Sequence, residues 1–293
     1  MNRLLKKRLK GFMGKTHVFL SLCFLFIFML IPWEFFEMTV WRLKENWLLA
    51  VVGIVVLCGG ALFPDLDNDN SSAGATLGPL GSIFTTFMKS TSLIVWNLYH
   101  FKADKKPNTM HRYLWHAPII WIGLGAMLYF GLNGGEYNIF TNVANSFKTD
   151  TFLYFLRTNA VLFLFIILIF MAVLVGSNMV IFQLGKFLPL PYIIKYIMPV
   201  AVLIYVMTTS YNNLRVIGIC FALGAFLHCV EDGFADTGVP SLIFPIPQFW
   251  RKRVWGRIKL LPITVTTGGL ANKVVDLVSG VTLLLLAFLA FKA

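Results

Sequence analysis

The stretch GGALFPDLDNDNSS, residues 59–72, decides how the rest of the chain is read. An apolar run beginning near Trp47 reaches Pro64 with the length of a membrane crossing. Three aspartates then follow at alternate positions: Asp65, Asp67 and Asp69. Acid at the edge of lipid is costly and is rarely kept there without a partner or a function. The chain should therefore cross a membrane and gather polar chemistry where its spans end.

Composition agrees. Of 293 residues, 58% are hydrophobic and only 13% are charged, where a soluble domain carries about 25% charged residues. The 28 Phe and 8 Trp suit lipid contact and interfacial anchoring. No polar stretch is long enough for a separate soluble domain, so residues 1–293 read as a single membrane-embedded unit. The net charge of +12 would suit nucleic acid in a soluble protein. In a membrane protein it reads as topology, because Lys and Arg collect on the cytoplasmic side, and no nucleic-acid partner is expected. Cys23, Cys58, Cys220 and Cys229 all lie in apolar runs without paired spacing, which fits buried thiols better than disulfides. The N-terminal arm resembles a signal peptide but has no clear cleavage site, so an uncleaved first helix is expected.

Apolar spans fall at 17–34, 47–64, 113–133, 152–178, 190–210, 214–232 and 274–291, each near the length a bilayer needs. Segment 75–100 is apolar but broken by Gly78, Pro79, Gly81, Lys89 and several hydroxyl residues. It reads as an interfacial or re-entrant helix. Segment 240–262, rich in proline and carrying RKRVWGRIK, reads as a surface loop or interfacial hairpin. The fold class is therefore an all-α polytopic bundle of about seven transmembrane helices plus one interfacial or re-entrant helix.

Threading the chain through a bilayer places the starts of the first and third spans and the ends of the second and sixth on one face. That face also holds about 19 of the 25 Lys and Arg, which makes it cytoplasmic, at a bacterial-type inner membrane. On it fall four of the five histidines, His17, His111, His116 and His228, together with Asp65, Asp67, Asp69, Asp232 and Asp236. Neutral imidazole and carboxylate are common ligands for zinc and related divalent ions. His228 and Asp232 stand one helical turn apart on one face. Asp65 and Asp67 share a face only in extended backbone, which Pro64 favours by disfavouring helix at the residue before it. His111 and His116 stand about 140° apart on an ideal helix, so they need a loosened turn or serve different metals. A calcium loop starting at Asp65 is excluded by Asn70 and Thr76 at its Gly and Glu positions. No P-loop or nucleophile elbow is present.

These blocks resemble the YdjM-like, LexA-regulated membrane-bound metal-dependent hydrolases. The likeness rests on GKTH ending at His17, LFPDLDNDNSS, HRYLWH from His111 to His116, and HCVEDGFADTGVP from His228. The order and the internal spacings match, over about a third of the chain. Two positions depart from the pattern: Asn68 replaces a histidine after the second aspartate, and Tyr113 replaces a glycine. That family is distantly related to the zinc phospholipase C and P1 nuclease group, which cleaves phosphodiesters on His- and Asp-bound zinc. The resemblance implies a metal-dependent hydrolase of a phosphoester, with a membrane lipid headgroup as the favoured substrate. Its divalent metal would be zinc first and manganese second, held by His17, Asp65, Asp67, His111, His116, His228 and Asp232. Arg112 would clamp a phosphate oxygen, and Asp69 or Asp236 would act as general base or orient a ligand. Two other readings stand beside this one. A cation transporter or channel would use the same groups, and a catalytically degenerate relative would act as a membrane partner protein.

Overall fold

The computed structural model describes residues 13–30, 42–68, 74, 78–99, 113–132, 160–184, 193–233, 239–240, 257–258 and 270–292. Eight helices are formed among them: α1 (Met13–Leu30), α2 (Trp47–Leu62), α3 (Gly78–Tyr99), α4 (Pro118–Gly131), α5 (Ala160–Leu184), α6 (Ile194–Thr208), α7 (Tyr211–Asp232) and α8 (Leu270–Lys292). One antiparallel pairing, Val239 with Ile258 and Pro240 with Arg257, lies in and beside the segment 240–262, expected as a surface loop or interfacial hairpin. Each expected span overlaps a described helix, with ends shifted by several residues. Among the described residues, three stretches are long and apolar enough to cross a membrane: Trp47–Asp67, Leu162–Ile181 and Tyr211–Asp232. Large apolar side chains such as Trp47, Ile83, Phe130, Leu277 and Leu284 face outward, as lipid-facing surfaces do and soluble surfaces seldom do.

Helix α2 is the axis of the bundle. The Asn46 side chain caps its start by accepting the Leu49 amide at 3.0 Å. Its consecutive glycines serve different neighbours, because one residue turns a helix by about 100°. A Cβ on Gly59 would strike the Ala172 carbonyl of α5, and one on Gly60 would strike the Phe221 carbonyl of α7. Gly176 of α5 and Gly224 of α7 return the contact, abutting the carbonyls of Val55 and Leu57. Apolar helices in lipid gain nothing from the hydrophobic effect between them, so small residues that let backbones touch supply the packing.

The contacts also give directions. Residues 53, 57 and 61 of α2 meet residues 220, 224 and 228 of α7. Both helices advance by four together, so they run parallel. Gly125 and Leu128 of α4 meet Ala222 and Gly218 of α7, so α4 runs opposite. Parallel second and sixth spans with an opposed third are what the alternating threading requires. At the far end of these helices, the Arg42 guanidinium donates to Asn213 at 3.1 Å and Arg215 Nε donates to the Leu132 carbonyl at 2.7 Å. Since α2 ends and α4 begins at the near end, the segment between them starts and finishes at one face.

Helix α3 lies against that near end. Its buried stripe is Met88, Ser92 and Trp96, spaced by four. Ser92 Oγ donates to Asp67 at 2.8 Å, and Trp115 Nε1 donates to the Met88 carbonyl at 3.2 Å. Phe84 packs edge-on against Phe63, with ring centroids 5.5 Å apart. The middle of α3 is thus level with the ends of α2 and α4.

Candidate metal centre

Four elements deliver ligands to one spot. Helix α7 carries His228 and Asp232 on one face of its last turns, before it ends at Gly233. Helix α2 gives way at Pro64 to a 3-10 turn, Pro64–Asp67, whose second residue is Asp65. The loop 113–117 presents His116 just before α4 opens with Pro118 at its first position, where a proline costs no hydrogen bond. The second turn of α1 supplies His17. The side chains of His17, His116, His228 and Asp232 are almost wholly buried, whereas that of Asp65 is 24% exposed.

The geometry is specific. His116 Nε2 stands 3.5 Å from Asp65 Oδ1 and 3.3 Å from Asp232 Oδ2. His228 Nε2 stands 3.7 Å from Asp65 Oδ1, 3.6 Å from Asp232 Oδ2 and 3.3 Å from His116 Nε2. Donor atoms at the corners of a regular tetrahedron about a metal, with bonds of about 2.1 Å, lie about 3.4 Å apart. Five of the six edges are therefore near the length a single cation would give them. His17 joins from the side, with Nε2 3.8 Å from Asp232 Oδ1 and its ring centroid 3.9 Å from that of His228.

Protonation sharpens the picture. His228 Nδ1 lies 2.7 Å from the Ala61 carbonyl. A carbonyl only accepts, so Nδ1 carries a proton and Nε2 is the nitrogen left facing His116. Two imidazoles and two carboxylates facing one another at 3.3–3.7 Å need a positive charge among them. Two overlapping groups, His17 with His228 and Asp232, and Asp65 with His116 and His228, could each hold a metal ion.

Of the seven expected ligands, the structure brings together His17, Asp65, His116, His228 and Asp232. Asp67 turns away. The expected extended loop at 65–67 is a 3-10 turn, because Phe63 adopts helical angles, φ −66° and ψ −42°, despite preceding a proline. Residues two apart in such a turn point to different sides, so Asp65 faces the histidines while Asp67 accepts from Ser92. His111, Arg112, Asp69 and Asp236 lie outside the described residues. Two participants escaped the sequence reading. One is Ser92, the partner of Asp67. The other is Glu231, whose carboxylate contacts His17 Nδ1; its signal was an extra acid directly beside Asp232 in HCVED.

No family model, no curated protein and no solved structure matches the chain.

Proposed function

We propose that this protein is a membrane-embedded metal-dependent hydrolase acting on a phosphoester, with a lipid headgroup as the favoured substrate. The observation that carries the reading is the set of donor atoms on His116, His228, Asp65 and Asp232, five of whose six separations are near those of a tetrahedral cation shell. Zinc is the favoured metal, since two imidazoles, two carboxylates and tetrahedral spacing suit it, with manganese second. Such a cation supplies Lewis acidity: it acidifies water and offsets charge on phosphoryl oxygens. Four protein donors would close the shell of a zinc ion, whereas catalytic zinc keeps a position open. Asp65 is the exposed donor, so its corner is where water and substrate reach the centre.

The surroundings suit a lipid substrate. In this reading the chain spans the inner membrane about seven times, with the centre at the cytoplasmic ends of the helices, and α3 lies in the interface beside it. The exposed surface of α3 carries two adjacent stripes, one of Ile83, Phe87, Ile94 and Leu98 and one of Ser82, Thr86, Ser90 and Asn97. Together with the buried stripe these give the helix an acyl-chain side, a headgroup side and a protein side.

The test is metal analysis of the purified protein, joined to a headgroup-resolved lipid hydrolysis screen with and without chelator. Bound zinc together with chelator-sensitive release of a phosphorylated headgroup or phosphate supports the reading. Hydrolysis that persists in excess chelator overturns it. Tightly bound metal with no hydrolysis of any phosphoester would identify a degenerate relative.

A further inference from the structure

Glu231 is a buried acid that the four-donor shell does not use. Its side chain is 8% exposed, and its Oε2 contacts His17 Nδ1 across the α1–α7 interface. Its other oxygen, Oε1, is buried with no hydrogen-bond partner among the described residues. A carboxylate so placed is expensive, and an apolar residue would pack the two helices at less cost. Helix α1 is also tied to α8. Thr16 Oγ1 donates to Asp276 of α8 at 2.5 Å, and Lys15 Nζ lies 3.8 Å from the same carboxylate. What the side chain supplies is an oxygen partner at Nδ1. A proton held between them leaves Nε2, the nitrogen nearest Asp232, as the one that can face a cation. The Ala61 carbonyl does the same for His228.

We propose that Glu231 is a positioning residue of the metal centre, holding His17 through Nδ1 so that Nε2 is presented beside Asp232 as a further cation ligand. This rests on the metal-dependent reading above. Asp232 then has one oxygen toward His116 and His228 and the other toward His17. A carboxylate behind a ligating imidazole fixes its orientation and raises its basicity, and removing one typically weakens metal binding by about 10–100-fold.

The test is cobalt(II) titration of the full-length protein in detergent, following the visible spectrum and measuring affinity by competition with a chromophoric chelator. Glu231→Ala should weaken cobalt binding by about 10–100-fold. Glu231→Gln keeps an acceptor without the charge and should fall between Glu231→Ala and wild type. The double variant His17→Ala/Glu231→Ala should bind no more weakly than His17→Ala alone, because the carboxylate acts through the ring. A Glu231→Ala protein that titrates like wild type, or losses that add in the double variant, overturns the proposal while leaving the metal reading in place. Wild-type protein that takes up no cobalt removes both. Should Glu231→Ala fail to fold, the near-isosteric Glu231→Gln decides alone, and a titration identical to wild type counts against the role.

Discussion

His228 is fastened at both ring nitrogens, one to the Ala61 carbonyl and the other toward His116, Asp65 and Asp232. Asp65 is fastened less, being the one donor of the shell that solvent reaches. Their removal should therefore differ. In His228→Ala or Asp232→Ala a buried corner is lost and no ordered donor replaces it, so the purified protein should lose its metal by elemental analysis. In Asp65→Asn a water can take the exposed corner, so metal should be retained at lower affinity, and equal loss in all three would refute the distinction. The residue types of this centre were legible in the sequence because imidazoles and acids stand out against an apolar chain. His228 and Asp232 were legible as a pair, since their spacing fixes their relation on a helix. The fate of Asp67 was not, because it turned on whether Phe63 stayed helical before Pro64. The partnership of Glu231 with His17 was hidden too, since it depends on which turn of α1 lies beside the end of α7.

Helix packing shows the same division between local and long-range information. The sequence showed where each apolar span lay within a few residues, but not that Gly59 and Gly60 would divide their service between α5 and α7. Backbone contact leaves no room for a methyl group at either position. Gly60→Ala should cost about 1–3 kcal/mol by overpacking, read as a lower thermal midpoint in detergent. It should also weaken metal retention, because Ala61, whose carbonyl orients His228, is the next residue. Gly123→Ala is the control. Nothing lies within 4 Å of the added methyl, so stability should hold or rise by up to about 1 kcal/mol from helix propensity. For α3, the three-stripe pattern makes a separate prediction about depth. Spin labels at Ile94 and Leu98 should be relaxed by oxygen dissolved in the acyl region, and labels at Thr86 and Ser90 by a water-soluble nickel chelate. Labels at the middle of α3 that are shielded from the aqueous agent on every side would mean the helix spans.

At the scale of the whole molecule, two independent patterns converge on one face. Alternating spans, reasoned from hydropathy, place His17, Asp65, His116, His228 and Asp232 at the same end, and the distances show that their side chains meet there. Basic residues, counted separately, accumulate in the segments assigned to that end, and the rule that keeps them inside is the ground on which the proposed reading makes that face cytoplasmic. The candidate ligands lie at helix termini and not at mid-span, a placement that suits the proposed hydrolase better than a transporter, whose site must open to both sides. An impermeant chelator tests this directly. In inside-out membrane vesicles the Asp65 corner faces the added chelator, and the metal should be stripped within the time ligand exchange takes. In right-side-out vesicles the same chelator meets the far ends of the helices, where Arg42 and Arg215 are engaged with Asn213 and Leu132, and the metal should stay. Stripping from both sides would mean that a polar path crosses the bundle, and the transporter reading would then displace the hydrolase. Stripping only from right-side-out vesicles would reverse the orientation while leaving the centre itself intact.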